Sequence, residues 1–109
     1  MIIQILDTIN DDIKQIRTDV FIKEQGFEEE FDEIDAIAKF ILLWSDGRAV
    51  GTCRFFPGTE PGEAHVGRMA VRKIHRGQHL GEKIMKAAER AMRRDGYKTC
   101  SLSAQVQAQ

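Results

Sequence analysis

The sequence predicts a mixed α/β (α+β) domain, a mostly antiparallel sheet with helices packed against it. Three features carry this. An Asp-Gly pair at 46–47 separates two runs rich in β-formers. A long amphipathic stretch beginning at Leu80 lies between two further strand-like runs, and a second helical pattern follows the apolar N-terminus.

Met1 to Leu6 is a short apolar run that reads as a strand. Thr8, with Asp11 three residues later, gives a capping-box start for the next element. Ile13, Ile16, Val20 and Phe21 then recur at helical spacing, and Gly26 supplies a stop near Gln25-Gly26. Phe27 to Ala36 alternates acidic residues with Phe27, Phe31 and Ile34, a pattern that fits a turn-rich loop or a short second helix with its aromatics over the core.

Ile37 to Trp44 is almost wholly apolar and Ala49 to Phe56 is rich in β-formers. Ser45-Asp46-Gly47-Arg48 joins them as a hairpin. The stretch Pro57-Gly58-Thr59-Glu60-Pro61-Gly62 is a loop, built of residues that fix or free φ in turns. Glu63 to Val71 alternates as another antiparallel strand, with Val66, Met69 and Val71 as its apolar members.

Leu80, Ile84, Ala87, Ala88, Ala91 and Met92 mark one face of an amphipathic helix whose other face carries Lys83, Lys86, Arg90, Arg93 and Arg94. Gly96 closes it, and Tyr97 to Val106 returns to a strand pattern. The order is β, α, loop or α, β, β, β, α, β, in one domain spanning residues 1–109. A chain of this size supports a single core.

The apolar fraction of 42% and charged fraction of 30% describe an ordinary soluble globular chain and exclude disorder and low complexity. No apolar run approaches the roughly 20 residues that span a bilayer. MIIQILDT turns acidic too soon for a signal peptide, so a cytoplasmic location is the default expectation, without a membrane partner. Cys53 and Cys100 lack CxxC spacing and nearby histidine pairs, which argues against a metal and for two buried, reduced structural thiols.

The net charge of −1 conceals an asymmetry. Lys23 to Asp35 carries −6 and Arg68 to Lys98 carries +7. One region could attract a cation and the other an anion, or both could be solvated faces. The basic helix lacks interleaved aromatics and the pI is near 6.3, so nucleic acid is not the expected partner.

HRGQHLGE, residues 75–82, joins the strand ending at Val71 to the amphipathic helix. A helix N-terminus leaves its first amides unpaired and carries roughly half a positive charge, so a glycine-rich turn into it can bind phosphate through the backbone. Gly77 lets the chain turn and Gly81 lets backbone approach a ligand, while Arg72, Lys73, Arg76 and Lys83 add charge.

Arg76-Gly77-Gln78-His79-Leu80-Gly81, in this order of elements, resembles the R/Q-x-x-G-x-G/A signature of the GNAT superfamily of acetyl-CoA-dependent N-acetyltransferases. VFIKEQGF at 20–27, EFDEID at 30–35, VGTCRF at 50–55, GRMAV at 67–71 and LSAQVQA at 102–108 are similar to its small bacterial branch of predicted acetyltransferases. The resemblance runs from end to end of the chain.

That resemblance implies acetyl-CoA as co-substrate, no metal, and an amine of a small molecule or peptide as acceptor. It implies that the fourth and fifth strands splay apart, with the pantetheine arm against the backbone of Met69, Ala70 and Val71. The pyrophosphate is then expected on Arg76, Gly77, Gln78, His79, Leu80, Gly81 and Glu82. The amine attacks the thioester directly, a strand amide holding the carbonyl oxygen. Glu24 is the first choice for a base and Arg68 points to the cleft or pairs with an acid; the alternative for Glu24 is a structural pairing with Arg68 or a backbone amide. Asp32 and Asp35 either line the acceptor site or form a solvated acidic loop.

Two departures from the family pattern stand out. His79 replaces the middle glycine of the signature, which is unusual if φ there is positive. The family continues past the fifth strand with a helix, which often supplies a tyrosine acid, and two strands, whereas this sequence ends at Gln109. The chain therefore reads as C-terminally truncated relative to the family: either it is a fragment, or a partner completes the sheet, the hypothesis being a homodimer that pairs or swaps this region. A non-catalytic CoA-binding module is the alternative function. Tyr97 reads as core packing, and His65 and His75 have no partner spacing.

Overall fold

Alternation along the second apolar run sets the architecture, because Phe40 and Leu42 turn to one face of a sheet while Ile41 and Leu43 turn to the other, all of them buried. A strand covered on both faces has no polar side to show, which is why this run reads as continuously apolar. In the computed structural model, which describes residues 1–27 and 31–103, the strands are β1 (Ile2–Leu6), β2 (Lys39–Ser45), β3 (Arg48–Pro57), β4 (Glu63–Val71) and β5 (Thr99–Leu102). They lie in the order β1-β2-β3-β4-β5, antiparallel except for the parallel pair β4 and β5. The expected mixed, mostly antiparallel sheet is the one observed.

Asp46 and Gly47, with φ of 51° and 77°, form the tight β2–β3 turn. Positive φ at both central positions matches the right-handed twist of the flanking strands, so Asp-Gly is the chemistry this turn requires.

The crossover from β4 to β5 runs through α2 (Leu80–Arg94), whose Leu80, Ile84, Ala88 and Ala91 pack on Ile41, Val50, Phe55, Val66 and Met69. On the opposite face, Ile13 and Ile16 of α1 (Asp11–Arg17) pack with Val20 and Phe21 against Phe40, Leu42, Ala49 and Ala70. The result is a sheet sandwiched between two helical layers. Cys53 is buried in the α2-side core, but Cys100 is exposed on β5, correcting the expectation that both thiols are buried. β5 is a short strand that pairs with β4 among the described residues, and most of its side chains, Cys100 among them, are exposed.

The start of α1 is shifted from its expected cap. Asn10, not Thr8, is the N-cap, its Oδ1 accepting from Ile13 N at 2.9 Å. Asn caps as well as Thr does, and this register directs Ile13 and Ile16 into the core. Beyond Arg17 the helix widens into a π-helical segment, Thr18–Glu24, and stops at Gln25 before Gly26, as expected. The uncertain acidic stretch contains a short 3₁₀ turn, Glu33–Ala36, closed by a reciprocal Asp32/Asp35 capping box.

β4 and β5 pair over only four residues, Glu63 to Val66 against Thr99 to Leu102, and Ser103 N adds one last bond to Val66 O at 3.1 Å. β4 runs on to Val71, so the edge of Gly67–Val71 turned away from β3 has no strand partner among the described residues. On the β3 side the register also breaks, Arg54 facing Gly67 and Thr52 facing Ala70. Cys53 is thus opposed by both Arg68 and Met69, a β-bulge that leaves one residue outside the ladder.

Gly51 marks the closest approach of α2 to the sheet, since a Cβ there would stand 2.6 Å from Ile84 Cδ1 and 3.2 Å from Ala70 O. Gly51→Ala is expected to destabilise the fold by about 1–3 kcal/mol through overpacking. Urea unfolding would read this as a lower midpoint at unchanged slope.

Candidate active site

The turn into α2 is left-handed and uncapped. Gly77 and His79 both have positive φ, 83° and 58°, and α2 begins without a side-chain cap. α1, by contrast, has its first turn capped by Asn10. The uncapped amides of Leu80, Gly81 and Glu82 keep their partial positive charge available at the end of a 15-residue helix. His79 adopts the left-handed conformation that a glycine would, and its side chain is 81% exposed, so the imidazole does not fill the turn.

Two arginines frame this turn and both are held by the π-helical segment. Arg72 donates through Nη1 to Asp19 and through Nε to Ala49 O at 3.1 Å. Arg76 donates through Nε to Val71 O at 2.9 Å and through Nη2 to Glu24. A π-helix closes its hydrogen bonds between residues five apart, so Asp19 and Glu24 stack roughly one turn from each other and reach the two arginines together. An α-helix would turn them to different sides.

A second network lies on the α1 face beside the bulge. Arg17, buried, donates to Asp35 through Nη1 at 2.8 Å and Nη2 at 3.1 Å. Arg54, also buried, donates to Asp32 at 2.7 and 3.1 Å and to Asp35 at 2.9 Å. Asp32 accepts in addition from Arg68 at 3.3 Å, and Arg68 is the bulge residue, with φ of 51°. Non-glycine backbone in this region is strained. Asp32 therefore helps to hold a strained bulge from the side-chain end.

The two residues expected to share catalysis are not brought together: Glu24 is tied to Arg76 at the phosphate end, and Arg68 to Asp32 at the bulge. Asp32 and Asp35 are engaged by arginines, which departs from both a bare acceptor-attracting surface and a solvated loop. Glu28, Glu29 and Glu30 lie outside the described residues. Met69, Ala70 and Val71 occupy the open edge of β4, as the resemblance implied. Tyr97 packs on the α2-side core, and a cavity of about 390 Å³ bounded by Phe55, Phe56 and Tyr97 lies at the far end of α2, away from the anion turn. Among the described residues no group of metal-ligating side chains comes together, and no helix is long and apolar enough to cross a membrane.

Sequence reasoning missed the π segment and its two acid–arginine pairs. It also missed a contact between His65 and Ser101, whose Nδ1 and Oγ are 2.7 Å apart across β4 and β5. The strand register that aligns these two residues was the signal that could have found it.

The acetyltransferase (GNAT) family profile matches residues 6–109. The chain belongs to this family. It is 36% identical over 95 residues to the uncharacterized N-acetyltransferase YjcF of Bacillus subtilis (strain 168), covering 85% of this chain and 66% of that protein. The chain thus spans just under two thirds of that GNAT relative's length. An acyl-CoA N-acyltransferase from Pseudomonas aeruginosa superposes with a TM-score of 0.82 at 26% identity, over 99% of this chain and 82% of that one. At 18% identity and a TM-score of 0.62, covering 85% of this chain and 23% of the other, the fold also recurs in N-acetylglutamate synthase from Neisseria gonorrhoeae, solved with coenzyme A and N-acetyl-glutamate.

The arginine–aspartate network sets an acid limit on stability. Arg54 holds the Asp32 carboxyl below the usual range, outweighing partial burial. Burial pushes the Asp35 carboxyl up, but hydrogen bonds and charge from Arg17, with a further bond from Arg54, bring it net below the usual range. A carboxylate with a depressed folded-state pKa stabilises fully above its unfolded value, about 3.9, and loses that contribution as pH falls through the lower folded value. Asp35→Asn is expected to cost about 2 kcal/mol at pH 7, because a neutral amide replaces the carboxylate that accepts charged hydrogen bonds from both buried arginines. Urea unfolding at pH 7 and pH 3 would show the gap between mutant and native protein narrowing in acid.

Proposed function

We infer that the chain is an N-acyltransferase that moves the acetyl group of acetyl-CoA to an amine on a small molecule or peptide by direct attack. The observation that carries this is the meeting of an open strand edge, Gly67–Val71, with an uncapped, left-handed turn into α2. A ligand with an amide-bearing arm and a pyrophosphate fits that pairing, since one end needs a strand-like partner and the other a cluster of backbone N–H donors. The P. aeruginosa and N. gonorrhoeae relatives support an acyl-CoA ligand.

Acetyl-CoA supplies the activated thioester. Residues 77–82 and Arg76 hold its phosphates, and the backbone of Met69, Ala70 and Val71 aligns its arm. A strand amide on the open edge of β4 is the donor for the developing oxyanion. Arg68, anchored by Asp32, braces that edge and borders the acceptor cleft. Glu24 shares Arg76 with the phosphates and faces the same end of the cleft.

Direct attack is favoured over an acyl-cysteine route by the state of the thiols. Burial, with a smaller contribution from Cys100, pushes the Cys53 thiol up to about 12. Burial, Glu89 and Glu63 also raise Cys100. A nucleophilic cysteine needs its thiolate stabilised, and both environments do the reverse.

Calorimetric titration with acetyl-CoA, followed by thiol release with a panel of primary amines, tests the reading; no binding by the native protein overturns it. Glu24→Gln frees Arg76 and is expected to tighten CoA binding about two- to five-fold, the scale of an exposed ion pair. His79→Gly should leave affinity within about three-fold, because the backbone already occupies glycine's conformation, whereas β-branched His79→Val should weaken it about ten-fold.

A further inference from the structure

Across the sheet from α2, the α1 face carries a cluster at the fork that the reading above leaves unused. Register places Arg54 opposite Gly67, Phe56 opposite His65, and His65 beside Ser101, so these residues share one face. His65 Nδ1 lies 2.7 Å from Ser101 Oγ and the ring packs on Phe56 with centroids 5.2 Å apart, which fixes the imidazole in position and rotation. Gly67 next to it has no side chain. A Cβ on Gly67 would stand 3.6 Å from Ser103 Oγ and 4.0 Å from His65 Cδ2, the ring carbon bonded to Nε2. Ser103 Oγ is itself buried and has no hydrogen-bond partner among the described residues. A buried hydroxyl without a partner costs roughly 1–3 kcal/mol unless a ligand completes it.

We propose that His65 is the general base for the acceptor amine, oriented by Ser101, with the bare position at Gly67 and the hydroxyl of Ser103 seating the amine beside the open edge of β4. The proposal rests on the acyl-transfer reading. His65 Nε2 takes a proton from the acceptor ammonium, directly or through one water. The freed lone pair forms the C–N bond to the acetyl carbon as the C–S bond breaks. The second amine proton leaves with the CoA thiolate as thiol, and His65 returns its proton to solvent. Imidazole is the side chain whose ordinary titration falls near neutrality, which suits it to this exchange.

The charged groups around His65 are already committed to other partners. Arg54 on β3 binds Asp32 and Asp35, Arg68 on the bulge binds Asp32, and Glu63 at the head of β4 accepts from Thr59 N at 3.1 Å.

The mechanism requires a particular tautomer: Nδ1–H donating to Ser101 Oγ and Nε2 bare. Nitrogen NMR of the His65 ring in the native protein is expected to show that tautomer at pH 8, and a ring protonated at Nε2 alone overturns the proposal. In kinetics, His65→Gln is expected to lower kcat/KM for the amine about 100-fold near neutral pH, recovering as pH rises and the amine deprotonates unaided. Calorimetric affinity for acetyl-CoA should stay within about two-fold of native, since no phosphate or arm contact is touched. A purely structural role would lower CoA affinity and activity together at every pH, and that result overturns the proposal, as does a variant with activity within three-fold of native. If the native protein binds acetyl-CoA but releases no thiol with any amine, the acyl-transfer reading fails and this one with it.

Discussion

Arg54 is the residue on which the functional half of the molecule is assembled. It projects from the middle strand of the sheet, is almost wholly buried, and grips two carboxylates at once, Asp32 and Asp35. Through Asp35 it is joined to Arg17 on α1, and through Asp32 to Arg68 on the β4 bulge. A buried guanidinium is tolerated only with such company, because the cost of desolvating it exceeds any single hydrogen bond. The same contacts that pair Arg54 Nη1 and Nη2 therefore dock the first helix, pin the acidic turn and brace the bulge. Removing one partner unbalances the rest, so the elements around the fork are energetically linked although they are far apart in sequence.

Much of the fold was legible because it depends on local chemistry. Asp46-Gly47 demands a hairpin wherever it stands between β-formers, and the spacing of Leu80, Ile84, Ala88 and Ala91 can bury one face only as a helix. The glycine-rich turn was legible by the same logic, and His79 takes the left-handed conformation at the position of the family's middle glycine. What the sequence could not show depends on partners across the chain. The acidic segment reads as −6 of free charge, yet two of its aspartates are matched by arginines on α1, β3 and β4. The π segment is equally invisible, since Thr18 to Glu24 has no composition that marks one extra residue per turn. Its evidence is tertiary: Asp19 and Glu24 reaching Arg72 and Arg76 side by side.

The helix cap that differed from expectation carries the same lesson at small scale. Thr8 and Asn10 are both competent caps, and the spacing of Thr8 to Asp11 favours the one the fold does not use. Packing chooses, because the Asn10 register brings Ile13 and Ile16 under Phe40 and Leu42 and aims Arg17 at Asp35. Local signals of comparable strength are resolved by whichever register satisfies the core and the buried charge together.

On the proposed reading the two faces of the sheet divide the chemistry between them. On the α2 side the backbone would offer donors: the uncapped helix start and the open edge of β4. On the α1 side the side chains would offer proton acceptors and a floor: His65, Ser103 and the bare position at Gly67. For that transfer an acyl donor on the first side and an amine on the second must meet at the open edge of β4, beyond its paired residues. Among the described residues the parallel ladder runs to Val66 and Leu102, immediately before Gly67 and the bulge. Extending that ladder by two residues would cover Gly67 and the bulge edge, and ending it two residues earlier would release Ser101 from His65. The length of the β4–β5 pairing thus governs both how much of the β4 edge is open and how the imidazole beside it is held.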